Sequence, residues 1–185
     1  KTIVYESYGM SETASHIALR KLNPSPEPDT DASKLPFRVL PGVQVSTDER
    51  GCLLVEAPFV SQEPIQTNDL VSLEGTDAFH WLGRADNVVN SGGVKLLPEM
   101  LETKLQSLIR QRFFLTGIPD EALGEKLVLV LEGKPGDGLL SKINDSGLLE
   151  KYEVPKAVYF VDKFKETGAG KISRPEIRKE LFKVN

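Results

Sequence analysis

The chain has 185 residues, 39% of them hydrophobic, with 23 Lys and Arg against 27 Asp and Glu for a formal net charge of −4. This is ordinary globular usage, and the acidic balance excludes a general polyanion binder, because nonspecific nucleic-acid affinity comes from concentrated Lys and Arg. The lone Cys52 excludes an internal disulfide framework and a cysteine-rich zinc site, and no apolar run approaches the roughly 18 residues of a membrane span.

Taken in chain order, Ile3, Val4, Tyr5 and Tyr8 predict a short strand ending at the turn-prone Gly9. Residues 23–36, dense in Pro, Asp and Ser, predict an exposed loop. Val43 and Val45, then Leu53 and Val55 across a DERG turn, form a hairpin pattern. A second hairpin runs from Leu70–Leu73 to Phe79 and Trp81. After Arg84 the character changes. Met100, Leu101, Leu105, Leu108 and Ile109 predict one apolar helix face, with Pro98 and Glu99 at its start. Two strands at Phe113–Ile118 and Leu127–Leu131, a helix around Leu139–Ile143, a strand at Ala157–Val161 and a final helix opened by Ser173 and Glu176 complete the reading. The fold class is α+β: a β-rich first part, residues 1–85, and a small α+β domain, residues 86–185.

Four segments carry residues suited to chemistry. In Tyr8-Gly9-Met10-Ser11-Glu12-Thr13, a glycine allows close backbone approach, a hydroxyl can bond phosphate oxygen and a carboxylate can hold Mg²⁺ against phosphates. The same run also reads as a strand end and a polar turn. In Thr67-Asn68-Asp69, the carboxylate has enough acceptor sites for both hydroxyls of a ribose, although a loop Asp is commonly a turn or cap residue. Gly83-Arg84-Ala85-Asp86 continues through Asn90-Ser91-Gly92-Gly93 to Pro98-Glu99, offering a guanidinium fork and then bare backbone. It also reads as a hairpin leading into a helix. Glu166-Thr167-Gly168-Ala169-Gly170-Lys171 looks like a phosphate loop but fails the pattern, with Lys165 where the first glycine belongs and Ile172 where a Ser or Thr belongs.

In this order the four segments resemble the signature of the adenylate-forming superfamily of acyl-CoA synthetases, adenylation domains and luciferases, over nearly the whole chain from Tyr8 to Arg174. The resemblance implies two half-reactions: a carboxylate attacks the α-phosphate of ATP to give acyl-AMP and pyrophosphate, and the thiol of CoA then displaces AMP. It implies that Tyr8, Gly9, Ser11, Asp69 and Arg84 bind ATP or AMP, with Asp69 and Arg84 on the ribose. Glu12 is implied to bind Mg²⁺. Lys171 is implied to be the catalytic lysine between the substrate carboxylate and the α-phosphate. The resemblance further implies that Asp86 takes the hinge position, that Ser91, Gly92 and Gly93 lie beside the CoA channel, and that Met10 and His16 line the acyl pocket. The first part would then be the remnant of a large N-terminal domain, a distorted barrel, and the second the small mobile domain that carries Lys171.

Ser11 stands where threonine is commoner in the family, Asn68 where glycine is usual, and Asn90 where lysine is usual. Within the superfamily, YGMSETASHIALRKLN, TNDL and the abbreviated hairpin VQVSTDERGCLLVEAP are similar to the short o-succinylbenzoate–CoA ligases. That implies o-succinylbenzoate as the acid and a place in menaquinone biosynthesis. Another acid, with CoA or a carrier protein as acceptor, and a noncatalytic adenylate-forming-like binding module are the competing readings. A Ser-His-Asp hydrolase is disfavoured, since His16 and His80 sit in no nucleophile-elbow pattern. The family's upstream phosphate loop is not in this sequence, so the chain is expected to be a fragment that lacks ligase activity alone and whose partner is the missing N-terminal portion. A cytoplasmic setting is expected.

Overall fold

The structure is a computed structural model that describes residues 2–23, 34–134, 136 and 138–182. Most of the expected loop at residues 23–36 therefore lies outside the described residues. The chain divides into two compact units, Lys1–Asp86 and Asn87–Asn185.

The first unit is a seven-stranded antiparallel sheet. Its strands are β1 (Val4–Gly9), β2 (His16–Asn23), β3 (Phe37–Val39), β4 (Gln44–Thr47), β5 (Cys52–Glu56), β6 (Ile65–Glu74) and β7 (Ala78–Arg84). Their order is β1-β2-β3-β7-β6-β5-β4, so β1 and β4 are the outer strands and the described sheet is open rather than a closed barrel. Both expected hairpins form: β4 pairs with β5, and β6 with β7. Gly51 takes the left-handed backbone (φ 79°) that the β4–β5 turn requires. The core gathers Ile17, Phe37, Leu53, Val55, Val71 and Phe79, all buried. The rings of Tyr8, Phe37 and Phe79 pack with centroids 5.1 to 5.8 Å apart, which ties β1 to β3 and β7. Cys52 is fully buried, and burial raises its thiol pKa above the ordinary value. Strand β2 is not marked by its sequence, because Ile17 and Ala18 are adjacent buried residues and break strict alternation.

The second unit is built on β11 (Gly124–Glu132). It pairs antiparallel with β10 (Phe113–Asp120) and parallel with β12 (Val158–Val161). A small hairpin, β8 (Val89–Ser91) and β9 (Val94–Leu96), extends the sheet. The run Leu127-Val128-Leu129-Val130-Leu131 is buried throughout because successive side chains enter two different cores. Leu127, Leu129 and Leu131 pack with Leu101 and Leu105 of α1 (Pro98–Leu105) and Ile143 of α2 (Leu139–Asp145). Val130 packs on the opposite face with Phe114, Phe164 and Ile177 of α3 (Arg174–Phe182). Parallel pairing of β11 and β12 needs a crossover, and α2 lies in it.

Pro98 opens α1, where its missing N–H costs nothing. The expected helix face is revised at both ends. Met100 is 40% exposed, since a residue next to Leu101 is turned about 100° away from it. Leu108 and Ile109 reach the core from a turn beyond the helix end, where Leu108 N donates to Leu105 O. At α3, the Ser173 hydroxyl donates to Glu176 Oε1 at 3.1 Å, a side-chain form of the expected cap.

One part-buried polar cluster ties α1 and α3 to β10. Arg174 of α3 donates to Glu102 Oε2 at 2.8 Å and sits 3.5 Å from Glu99 Oε1, while Leu115 N donates to Glu102 Oε1 at 2.8 Å. Burial raises the Glu102 carboxyl above its ordinary 4.5, and Arg174 pulls against that rise. Arg174→Met is expected to lower stability at neutral pH by about 2–4 kcal/mol, because it strands two largely buried carboxylates. A carboxyl with a raised folded-state pKa contributes stability fully below its unfolded value and loses it as pH rises. The penalty should therefore grow as pH climbs from about 4.5, near the unfolded value of Glu102. Urea unfolding at both ends of that window checks it, and a pH-independent penalty would contradict the assignment.

Candidate functional site

A cleft of about 560 Å³ opens in the first unit, lined by Met10, Glu12, Asp48, Arg50, Gln66, Thr67, Asn68, Asp69 and Arg84. Its centre is set by register. Asp69 of β6 stands directly across from Arg84 of β7, and Arg84 Nη1 lies 3.6 Å from Asp69 Oδ1. From β1, the Tyr8 hydroxyl donates to Asp69 Oδ2 at 2.5 Å. Burial, and then this bond to a carboxylate, push the Tyr8 phenol far above its ordinary pKa, so it stays a donor. The Asp69 side chain is only 13% exposed. Among the described residues each of its oxygens has one partner, Tyr8 or Arg84, with lone pairs left over, which suits a carboxylate that accepts from two hydroxyls at once.

The loop after β1 also lines the cleft, through Met10 and Glu12. A 3-10 turn at Ser11–Thr13 holds Ser11 and Glu12 exposed. Thr13 is buried, and its hydroxyl accepts from Met10 N at 3.0 Å and lies 2.6 Å from Ser15 O, fixing the loop from inside. Gly9 has a packing reason to be glycine: a Cβ there would come within 2.4 Å of Ser15 O. Met10 and Glu12 line the cleft; His16, paired with Gly9 across the sheet and 3.1 Å from Ser15 Oγ through its Nδ1, is not among the lining residues.

Asp86 closes the first unit, with Asn68 Nδ2 at 3.2 Å and Arg84 Nη2 at 3.3 Å from its Oδ2. Asp48, Arg50 and Gln66 belong to the cleft but to none of the four motifs. The Asp48 carboxyl is pushed up by partial desolvation, but hydrogen bonds from Cys52 N and Arg50 outweigh that and hold it below its ordinary range. The signal that would have found this pair is the DERG turn itself, which places both charges at the tip of a hairpin beside β6.

The remaining candidates lie in the second unit. Gly92 and Gly93 make the two-residue turn of the β8–β9 hairpin with φ of 58° and 83°, a geometry that selects glycine at both places. Ser91 is the last residue before that turn. Lys171 is exposed on a loop closed by an isolated bridge between Glu166 and Ile172, with Thr167 N donating to Lys171 O at 2.7 Å. Its ammonium makes no ion pair among the described residues. No group of three or more His, Cys, Asp or Glu is placed to hold a metal among the described residues. An Mg²⁺ ion would instead need one carboxylate and phosphate oxygens, which the exposed Glu12 on the cleft wall fits. No helix is long and apolar enough to cross a membrane among the described residues.

Comparison with solved structures decides the fold. The o-succinylbenzoate CoA synthetase of Bacillus subtilis, in complex with its acyl-adenylate intermediate, superposes with a TM-score of 0.76 at 22% identity, over 95% of this chain and 41% of that one. The fold is that of the adenylate-forming enzymes. In sequence, a feruloyl-CoA synthase from Amycolatopsis is 28% identical over 208 residues, covering 95% of this chain and 41% of the relative. A 2-succinylbenzoate–CoA ligase from Geobacillus kaustophilus is 27% identical over 207 residues, covering 98% of this chain and 42% of the relative. No family model matches the chain. The chain thus spans about two-fifths of the length of the acyl-CoA ligases it is similar to.

Tyr8→Phe is expected to cost about 1.5–3 kcal/mol of stability in chemical unfolding, because it removes a hydrogen bond to a mostly buried carboxylate. A variant as stable as the unaltered chain would mean that Asp69 is solvated and not held by β1.

Proposed function

We propose that this chain forms the C-terminal part of an ATP-dependent acid–CoA ligase. The observation that carries the reading is the Asp69 carboxylate held between Tyr8 and Arg84 in a cleft that Glu12 also lines. In this reading Asp69 accepts the two ribose hydroxyls of ATP, with Arg84 beside it. Ser11 and Gly9 face the phosphates, and Glu12 supplies a carboxylate ligand to Mg²⁺. The acid's carboxylate oxygen attacks the α-phosphorus and the bond to pyrophosphate breaks. Lys171 places its ammonium against the charge that builds on the α-phosphoryl oxygens, the kind of electrostatic help that changes rates by about 10²–10³. In the second half-reaction the CoA sulfur attacks the acyl carbon and AMP leaves, with the Ser91-Gly92-Gly93 turn beside the pantetheine arm. Residues 1–85 belong to the large nucleotide-binding domain in this scheme. Residues 86–185 form the small domain that turns about Asp86, and the protein is cytoplasmic.

For the acid we infer o-succinylbenzoate, activated for menaquinone biosynthesis. Support comes from the YGMSETASHIALRKLN and TNDL runs and from 2-succinylbenzoate–CoA ligases among the relatives, including one from Lactococcus lactis. A hydroxycinnamic acid is the second reading, favoured by the feruloyl-CoA synthase relative.

Acid-dependent ATP–pyrophosphate exchange by the complete ligase tests both levels. Exchange should appear with o-succinylbenzoate, vanish when Mg²⁺ is chelated, and fall on the order of 10²–10³-fold in Lys171→Ala. The isolated chain should give none. Exchange with ferulate instead would keep the ligase and replace the acid, whereas a fully active Lys171→Ala would remove the catalytic assignment.

A further inference from the structure

The β4–β5 turn delivers to the cleft a guanidinium that none of the four motifs contains. Arg50 Nε donates to Asp48 Oδ2 at 2.8 Å, Nη1 to Asn68 Oδ1 at 3.0 Å and Nη2 to Thr67 O at 3.2 Å. Asp48 lies in the β4–β5 turn, whereas Thr67 and Asn68 lie in β6, so the rigid fork ties the hairpin tip to the part of β6 that leads into Asp69. Asn68 is committed at both ends of its amide: its oxygen accepts from Arg50, and its nitrogen donates to Asp86 Oδ2 at 3.2 Å. Asp69 N donates to Thr67 Oγ1 at 3.1 Å. A glycine at position 68 would offer neither side-chain bond.

We propose that Arg50, acting through Asn68, is a positioning residue that holds Asp69 in the orientation that accepts both ribose hydroxyls, and so sets the selectivity for a ribonucleotide. The inference rests on the assignment of Asp69 to the ribose. Arg50 does not contact the hydroxyls in this scheme; it fixes the two residues before the one that does. Exposed ion pairs such as Arg50–Asp48, with side chains 54% and 20% exposed, add little to stability, so the effect is one of geometry.

A second cause of weaker nucleotide binding must be separated. Losing Arg50 leaves Asp48 uncompensated on the cleft wall, which would repel any triphosphate. That repulsion acts equally on ATP and on 2′,3′-dideoxy-ATP, whereas mispositioning of Asp69 acts only where hydroxyls are present. The test is therefore a ratio. In the complete ligase, KM for dideoxy-ATP over KM for ATP is measured for the unaltered enzyme, Arg50→Ala, Arg50→Lys, Asn68→Gly and Asp69→Asn. Thermal unfolding is followed alongside to establish that each variant is folded.

The unaltered enzyme should discriminate by about tenfold or more, since two hydroxyl contacts to a carboxylate contribute at least that much. Asp69→Asn should lose most of this preference. Both Arg50 variants and Asn68→Gly should lower the ratio by at least about threefold, with Arg50→Lys failing to restore it because an ammonium keeps the charge but not the fork. An unchanged ratio in folded Arg50→Ala, Arg50→Lys and Asn68→Gly, with Asp69→Asn collapsed, would overturn the positioning role and leave the ribose assignment standing. No discrimination by the unaltered enzyme, or an intact preference in Asp69→Asn, would instead overturn the ribose assignment and the inference with it.

Discussion

The pairing of β6 with β7 places Asp69 opposite Arg84, and that register fixes the cleft. A slip by one residue would turn Asp69 to the other face of the sheet and take Val71, which is buried, out of the core. Apolar packing therefore enforces the position of a polar group. The Tyr8 ring serves both sides of this arrangement, with its edge against Phe79 and its hydroxyl on Asp69. Burial of the ring and orientation of the carboxylate are inseparable here, and a change in the aromatic cluster is transmitted to the site without touching it.

The second unit rests on a different device. Its central strand is buried on both faces, so its apolar residues do not alternate with polar ones but divide between two cores. Helices cover each face, and the Glu99–Glu102–Arg174 cluster joins α1 to α3 past the edge of β10. The loop that bears Lys171 leads directly into Ser173 and α3, which is anchored by Ile177. A helix packed into a core thus begins three residues after the exposed lysine.

Much of this was readable from the sequence wherever local signals agreed with tertiary needs. The two hairpins of the first unit declared themselves through alternation and turn residues, and the LVLVL run through its apolar density. Gly92-Gly93 was legible as a tight turn because only consecutive positive φ values make that pair necessary. What stayed hidden depended on long-range partners. Strand β2 has no alternation of its own and is held by pairing with β1 and β3. Arg50 is legible only as part of the DERG turn, because its acceptors at Thr67 and Asn68 lie seventeen and eighteen positions away. The packing need for glycine at position 9 is likewise invisible locally, since a Cβ there would meet the backbone of Ser15 and His16. His16, expected at an acyl pocket, is placed by its pairing with Gly9 across the sheet.

The single cysteine has a practical side. Cys52 begins β5 with no exposed surface, and its thiol is biased against ionising by burial. Alkylating reagents need both access and the thiolate, so labelling must wait for the β4–β5 hairpin to open. The chain therefore carries its own clock for local unfolding. Because that clock sits in the first unit alone, the labelling rate separates loosening of the β4–β5 side of the cleft from anything happening in the unit that bears Lys171.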